Sequence, residues 1–161
     1  MFMESLKPIA LVFIALVFLG TPFFVFAAGV TVNQALFFGE WAVTSNVGFY
    51  NVNIDADGTY TNSAPFVLVG SSPVRGEYII TGLPASTAIT SIDITELSEM
   101  TGPGSEGFSM DNFEVNYPSG MTTNGAGDIL IYVGARANTS ATAINYADGV
   151  HTGQLQITIN Y

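Results

Sequence analysis

The stretch from Gly153 to Tyr161 reads GQLQITINY, and its apolar residues occupy every second position. Leu155, Ile157, Ile159 and the final tyrosine alternate with polar residues. This is the period of a β-strand with one face in a protein core and the other face in water. The end of the chain therefore predicts a strand of an all-β protein.

The same period recurs upstream of this stretch. Apolar and polar residues alternate over Ile92–Ile94 and Phe113–Tyr117, whereas Ile129–Ala135 is apolar on both faces and is predicted to be a central strand. Turn-forming groups such as Asp57-Gly58 separate the runs, and no stretch after residue 27 has a convincing helical period. We predict an antiparallel, immunoglobulin-like β-sandwich of roughly seven to nine strands.

Glycines and one unpatterned segment refine this prediction. Gly134 interrupts the central strand, which predicts a β-bulge or a close approach of another backbone segment. Gly39 follows the apolar residues 36–38 and predicts a turn after the first strand. The segment from Leu97 to Gly107 has no clear period and is predicted to be a loop or one short turn.

Residues 1–27 are predicted to be an export signal peptide. Lys7 precedes an apolar run from Ile9 to Phe26, and small residues at the minus-three and minus-one positions predict cleavage after Ala27. The alternative is an uncleaved membrane anchor, because the run is nearly long enough to span a bilayer. Cleavage predicts a single domain over residues 28–161, secreted or at the cell surface, with periplasmic transit if the source has an outer membrane, and no membrane association.

The charge of the chain excludes some partners. The formal net charge is −10, and it does not change if Glu4 and Lys7 leave with the leader. Arg75 and Arg136 are then the remaining basic residues, and such a surface repels nucleic acids and anionic membranes. Residues 28–161 contain no lysine, which excludes Lys–Asn isopeptide cross-links in the predicted mature chain. The complete absence of cysteine excludes disulfides and thiolate metal sites.

One motif has the opening pattern of a calcium-binding loop. Asn53, Asp55 and Asp57 alternate and are followed by Gly58, but Ala64 stands where such a loop needs a bidentate glutamate. The alternative is a hairpin turn, because Asp-Gly readily adopts positive φ. The two aspartates and the asparagine are therefore candidate ligands of a weak extracellular calcium site. No other cofactor is expected.

No pattern in the sequence indicates catalysis, and we expect that the protein is not an enzyme. His151 is the only histidine, and no Gly-x-Ser-x-Gly nucleophile motif accompanies it. Four acidic residues could provide the paired carboxylates of a glycosidase, although a solvated acidic loop is the simpler interpretation. These residues are Glu96, Glu99, Glu106 and Asp111.

Two further groups of residues suggest contact with carbohydrate. Trp41, Phe49, Tyr50 and Tyr60 could form a sugar-stacking platform, although aromatic residues in strands more often build the core. The triplet of residues 138–140, Asn-Thr-Ser, is a glycosylation acceptor if the source glycosylates asparagine.

The first and last predicted strands are candidate assembly strands. If the strand from Val30 to Phe38 or the C-terminal strand lies at a sheet edge, it can pair with another subunit. The alternative is that both are ordinary internal strands. The residues expected at such a contact are Val30, Val32, Leu155, Ile157, Ile159 and Tyr161.

The order of these segments resembles a known family. The segments Ile54–Thr59, Ala64–Gly70, Tyr78–Ile80, Gly127–Ala135 and Gly153–Tyr161 follow one another as in the bacterial secreted domain catalogued as domain of unknown function 4402. That family is similar in pattern to pilin-like and spore-coat-like β-sandwich domains. Members of those neighbouring groups assemble by donor-strand complementation, in which an extended segment of one subunit fills a groove in the next.

The resemblance implies a structural protein, such as a fimbria-like or coat subunit, that self-associates or binds other surface proteins. The chain departs from the pilin pattern in two respects. Only residues 28–35 lie between the predicted cleavage site and Leu36, which leaves little room for a donor extension, and the cysteine pairs of some pilins are missing. The alternative function is an extracellular binding module for carbohydrate or calcium.

Overall fold

The computed structural model describes residues 28–161, so the predicted leader and most of its cleavage site lie outside the described residues. Ten strands and no helix occur in this part of the chain. The strands are β1 (Gly29–Gln34), β2 (Trp41–Val43), β3 (Asn51–Ile54), β4 (Tyr60–Asn62), β5 (Phe66–Leu68), β6 (Gly76–Thr81), β7 (Ser91–Thr101), β8 (Ser109–Asn116), β9 (Ile129–Asn138) and β10 (Thr152–Asn160).

The main sheet is built around β9, and all of its pairings are antiparallel. One edge of β9 pairs first with β6 and then with β3, and β8 pairs along the opposite edge. Next to these, β1 pairs with β6 and β4 pairs with β3. The prediction that Ile129–Ala135 forms a central strand is therefore confirmed, since strands flank it on both sides.

Gly134 lies where β6 ends and β3 begins along β9. A Cβ atom at this position would come within 2.3 Å of the carbonyl oxygen of Ile54, so the predicted close backbone approach is confirmed. The pairing of β8 with β9 also shifts between Asp111 and Glu114, and the latter lies opposite Gly134. Asn112, inside this bulge, has a φ of 48°.

The second layer is a two-stranded antiparallel sheet formed by β7 and β10. Its half-buried apolar side chains pack against the buried residues of β6 and β9, as in a β-sandwich. The main core cluster contains Tyr78, Ile80, Leu83, Ile89, Ile92, Ile129, Ile131 and Val133. The all-β sandwich predicted from the alternating pattern is thus confirmed.

A smaller cluster extends the core toward the other end of β9. Met100, Met110 and Ala137 are buried there, against aromatic residues that include Phe108. The short strands β2 and β5 form a separate antiparallel ribbon. Three strands of only three residues each, β2, β4 and β5, bring the count to ten, above the predicted seven to nine.

The prediction of a loop over residues 97–107 is wrong in its first part, because β7 continues to Thr101. The alternation is hidden in the sequence because polar and apolar residues occur on both faces. Leu97 is exposed, whereas Glu96 is half-buried and accepts a hydrogen bond from the backbone N–H of Met110.

Gly39 has a φ of 94°, but the chain does not turn there. Phe37 pairs with Val74 and Trp41 pairs with Leu68, so the chain continues along the same neighbouring segment and the prediction of a turn is wrong.

No helix among residues 28–161 has the length and apolar character needed to cross a membrane.

Candidate functional site

β1 lies at an edge of the main sheet. Within the described residues it pairs only with β6, so its other edge has no strand partner. Val30 lies opposite Ile80, and Val32 lies opposite Tyr78. Directly opposed residues of an antiparallel pair share one face of the sheet. Because Ile80 and Tyr78 are buried in the core, the two valines lie on the core-facing side of β1.

The second layer does not cover these valines. Val30 is 53% exposed and Val32 is 56% exposed, although both lie on the side of the sheet that faces the core. The second layer contains only β7 and β10, and its apolar residues pack against the core residues of β6 and β9. The core-facing side of β1 is therefore an apolar strip in contact with water.

β10 is also an edge strand in the part of the chain that the structure describes, because it pairs only with β7. Leu155, Ile157 and Ile159 are half-buried and pack against the main core. Their side chains are thus directed inward, and what the free edge of β10 offers to a partner is its backbone. Tyr161, which was predicted to lie within the strand, follows its last residue and is exposed.

The edge strands differ in charge. β1 has the sequence GVTVNQ and β10 has the sequence TGQLQITIN, and neither contains a charged residue or a proline. β7 contains Asp93, Glu96 and Glu99, whereas β8 contains Asp111 and Glu114. In a chain with a net charge of −10, the long edge strands of residues 28–161 that lack carboxylates are therefore β1 and β10.

The candidate calcium ligands lie on the hairpin between β3 and β4. The backbone N–H of Asp55 donates to the carbonyl oxygen of Thr59, and the N–H of Gly58 donates to the carbonyl oxygen of Asp55, both at 2.9 Å. Gly58 has a φ of 95°. This geometry is that of the Asp-Gly hairpin turn, the alternative interpretation of the motif.

Hydrogen bonds of the turn engage the oxygen atoms of this motif. Asp55 accepts from the side chain of Asn53, and Asp57 accepts at 2.8 Å from both the N–H and the hydroxyl of Thr59. The bond from the Thr59 N–H, followed by that from its hydroxyl, lowers the pKa of Asp57. Residues 28–161 contain no group of three or more His, Cys, Asp or Glu side chains placed to hold a metal ion. The calcium site stays a prediction.

His151 lies in an aromatic cluster with Phe108 and Tyr146. Its ring contacts Phe108 edge-to-face at 5.2 Å between ring centres, and Phe108 in turn stacks on Tyr146 at 4.1 Å. The Nδ1 atom lies 3.3 Å from the carbonyl oxygen of Gly149, and the buried Nε2 atom has no hydrogen-bond partner among the described residues. These contacts give the imidazole a packing role.

The four acidic residues considered for glycosidase chemistry have separate surroundings. Arg136 donates two hydrogen bonds to Asp111, at 2.7 and 2.9 Å, and thereby lowers the pKa of that carboxyl. Hydrogen bonds from Ser140 and Thr142 lower the pKa of Glu106. A glycosidase acid needs a raised pKa, so both shifts run in the opposite direction.

The four aromatic residues considered for sugar stacking do not lie in one plane. Trp41 contacts Tyr60 and Phe66 edge-to-face, with ring centres 6.2 and 6.0 Å apart. Tyr50 is half-buried. Phe49 is 81% exposed. A carbohydrate site therefore stays a prediction, with Phe49 as its most accessible ring.

The sequence analysis missed a buried amide that joins two loops. Asn46 is 3% exposed, and its Nδ2 atom donates to the hydroxyls of Ser140 and Thr142 and to the carbonyl oxygen of Ile144, at 2.8–3.2 Å. Its Oδ1 atom accepts from the N–H of Ala141 at 3.0 Å. We call Asn46 and residues 140–144 the loop clamp. No local pattern distinguishes Asn46 from an ordinary loop asparagine.

The predicted glycosylation triplet belongs to the same region. Thr139, its middle residue, is almost completely buried. Its hydroxyl donates to the carbonyl oxygen of Gly48 and accepts from the N–H of Tyr50, both at 2.9 Å. The short polar side chains that create the triplet therefore hold the chain after β9 against the chain before β3.

In residues 28–161 these features define an all-β sandwich with two long, uncharged edge strands, β1 and β10. The chain belongs to the family described as domain of unknown function (DUF4402), whose model matches residues 29–161. No curated protein and no solved structure matches the chain. The resemblance to this family is thus confirmed, whereas the similarity to pilin-like and spore-coat-like domains receives no support from these comparisons.

Proposed function

We propose that this chain is a structural subunit, secreted or displayed at the cell surface, that associates with further copies through its edge strands. The supporting observation is the state of β1. Its core-facing valines Val30 and Val32 are more than half exposed, beside a backbone edge that no strand of residues 28–161 pairs with. A fimbria-like fibre or a coat is the kind of assembly that such a subunit forms.

The physical reason is that an unpaired strand edge presents a row of backbone N–H and C=O groups to any other strand. Proteins that avoid this association place lysine, proline or an inward-pointing charge on the edge. β1 and β10 contain none of these residues. β1 has one irregularity in register, between Val32 and Gln34, which leaves residues 29–32 in regular pairing with β6.

The proposed location rests on residues 1–27, which have the composition of a signal peptide. The acidic composition of the remaining chain agrees with a protein that stays soluble while it is exported. Export would bring the edge strands together only outside the cytoplasm, where copies of the subunit accumulate.

Electron microscopy of the full chain, expressed with its native residues 1–27, tests the proposal when combined with mass spectrometry of the N-terminus. We expect filaments or sheets built from chains that begin at Ala28. Discrete monomers that begin at Ala28, at concentrations where fibre proteins assemble, would contradict the proposal.

The alternative, an extracellular binding module, can be tested with the same preparation. Asp55, Asp57 and Glu114 line an open depression next to the hairpin turn, and this is where calcium would bind. A calorimetric titration with calcium that releases heat in the wild type, but not in Asp57→Asn, would support this function. A titration without heat would remove the calcium site from consideration.

A further inference from the structure

We propose that the contact between copies is head-to-tail, with β10 of one copy pairing along the free edge of β1 of the next copy. This inference rests on the proposed function, since it specifies which edges meet in the assembly. The occupant of the exposed strip on β1 is then a second copy of this chain.

Charge selects these two edges. Each copy carries a net charge of −10, so any contact must avoid bringing carboxylates together. β7 and β8, the other long strands with an unpaired edge, carry five carboxylates between them. β1 and β10 carry none, and a contact between them adds the fewest unfavourable charge pairs.

Coverage favours the head-to-tail contact over a symmetric one. A contact between two copies of β1 would cover Val30 and Val32 but leave both β10 edges unpaired. A contact between two copies of β10 would leave the valines in water. When β10 pairs with β1, every copy in the interior of the assembly uses both of its long, uncharged edges.

The geometry of this contact has a consequence for the shape of the assembly. Different surfaces meet in a head-to-tail interface, so the assembly grows as an open filament unless the rotation between copies closes a ring. The incoming β10 extends the main sheet by one strand, and its backbone pairs with that of β1. Cross-strand neighbours then cover the valines, which stabilises the contact.

Two variants of the full chain test the orientation. The first, Val30→Lys/Val32→Lys, blocks the β1 edge, and the second, Gln156→Lys/Thr158→Lys, blocks the β10 edge. All four side chains are exposed, so each variant should keep the β-sheet circular dichroism spectrum. If a double variant loses that spectrum, the single substitutions Val32→Lys and Thr158→Lys replace it.

The matched control is Thr95→Lys/Leu97→Lys. It adds the same charge to exposed positions of β7, and Thr95 lies directly opposite Gln156. This control therefore separates the blocking of an edge from a general effect of added lysine. We expect the control to assemble like the wild type.

Sedimentation velocity distinguishes the outcomes. We expect each blocked variant to be monomeric alone and an equimolar mixture of the two to form a dimer of about twice the monomer mass, because one free β10 meets one free β1. A dimer of the β10-blocked variant alone would show a β1–β1 contact and overturn the inference. A dimer of the β1-blocked variant alone would overturn it in favour of a β10–β10 contact.

Two further outcomes separate this inference from the proposed function. If the wild type assembles but the mixture stays monomeric, the head-to-tail contact is wrong and the structural function stands. If the wild type itself does not assemble, the proposed function fails, and the orientation of the contact fails with it.

Discussion

Gly134 lies where another backbone segment closely approaches the central strand. A methyl group at this position would lie 2.3 Å from the carbonyl oxygen of Ile54 and 2.6 Å from the backbone nitrogen of Ala56. These are backbone atoms and cannot move as a flexible side chain can. We therefore expect Gly134→Ala to lower the free energy of unfolding by about 1–3 kcal/mol, as measured by urea denaturation.

Gly125 provides the control for this substitution. No atom lies within 4 Å of the position that its Cβ would occupy, and its φ is not positive. Gly125→Ala should change the free energy of unfolding by no more than about 0.5 kcal/mol. Equal effects at the two glycines would show that the close approach at Gly134 does not constrain the fold.

The ion pair between Asp111 and Arg136 makes stability depend on pH. The hydrogen bonds from Arg136 hold the pKa of Asp111 below its ordinary value. The contribution of the ion pair to stability is therefore present above the pKa of Asp111 in the unfolded chain, which is about 4. It is lost as the pH falls through the lower pKa of this carboxyl in the folded state. Because the two side chains are 39% and 51% exposed, we expect the ion pair to contribute less than about 1 kcal/mol to the free energy of unfolding at neutral pH.

Asp111→Asn tests this contribution by denaturation at neutral and at strongly acidic pH. The variant should be less stable than the wild type at neutral pH, and the difference should disappear once the wild-type carboxyl is protonated. Arg136→Gln should give the same pH dependence, and combining the two substitutions should add little. A difference between wild type and Asp111→Asn that persists in acid would assign another role to Asp111.

At the scale of elements, the loop clamp joins the chain before β3 to the chain after β9. Asn46→Ala removes the buried amide and the hydrogen bonds that it makes to residues 140–144, so we expect a loss of about 1–3 kcal/mol in the free energy of unfolding. Hydrogen exchange gives a local readout. The N–H of Ala141 bonds to the Asn46 side chain and should exchange faster, whereas the N–H of Ala143 bonds to the Asn46 backbone and should remain more protected.

Asn33→Ala serves as the control for the clamp. The side chain of Asn33 is exposed and donates one hydrogen bond, to Glu77. Its removal should leave both the stability and the exchange of Ala141 close to the wild type. Unchanged exchange of Ala141 in Asn46→Ala would mean that the loop keeps its conformation without the amide.

The strands show which elements a sequence pattern can reveal. β9 and β10 follow a clear alternation, and both lie where the pattern predicts them. The second half of β7 was missed because Ser98 and Glu99 are two polar residues in succession, which breaks the alternation in the sequence. The short strands β2, β4 and β5 have three residues each, too few to establish a period.

At the scale of the whole molecule, net charge opposes association of the subunits. Repulsion between copies of charge −10 weakens as salt shortens the Debye length from about 10 Å at 0.1 M to about 3 Å at 1 M. We expect added sodium chloride to increase the assembled fraction in sedimentation velocity, since the proposed contact contains no ion pair. Assembly that decreases with salt would indicate an ionic contact instead.

Patterns in the sequence were sufficient to predict the all-β class, the central position of β9, the hairpin turn at Asp57-Gly58 as one of two interpretations, and the resemblance to the family. These features depend on alternation and turn chemistry among neighbouring residues, which a chain displays before it folds. Which strands lie at sheet edges, and which polar residues are buried, became visible in the folded chain alone. Val30 lies opposite Ile80, and Asn46 bonds to Ser140, which is 94 positions away. Such partners are chosen by the packing of distant segments, and no local pattern records that choice.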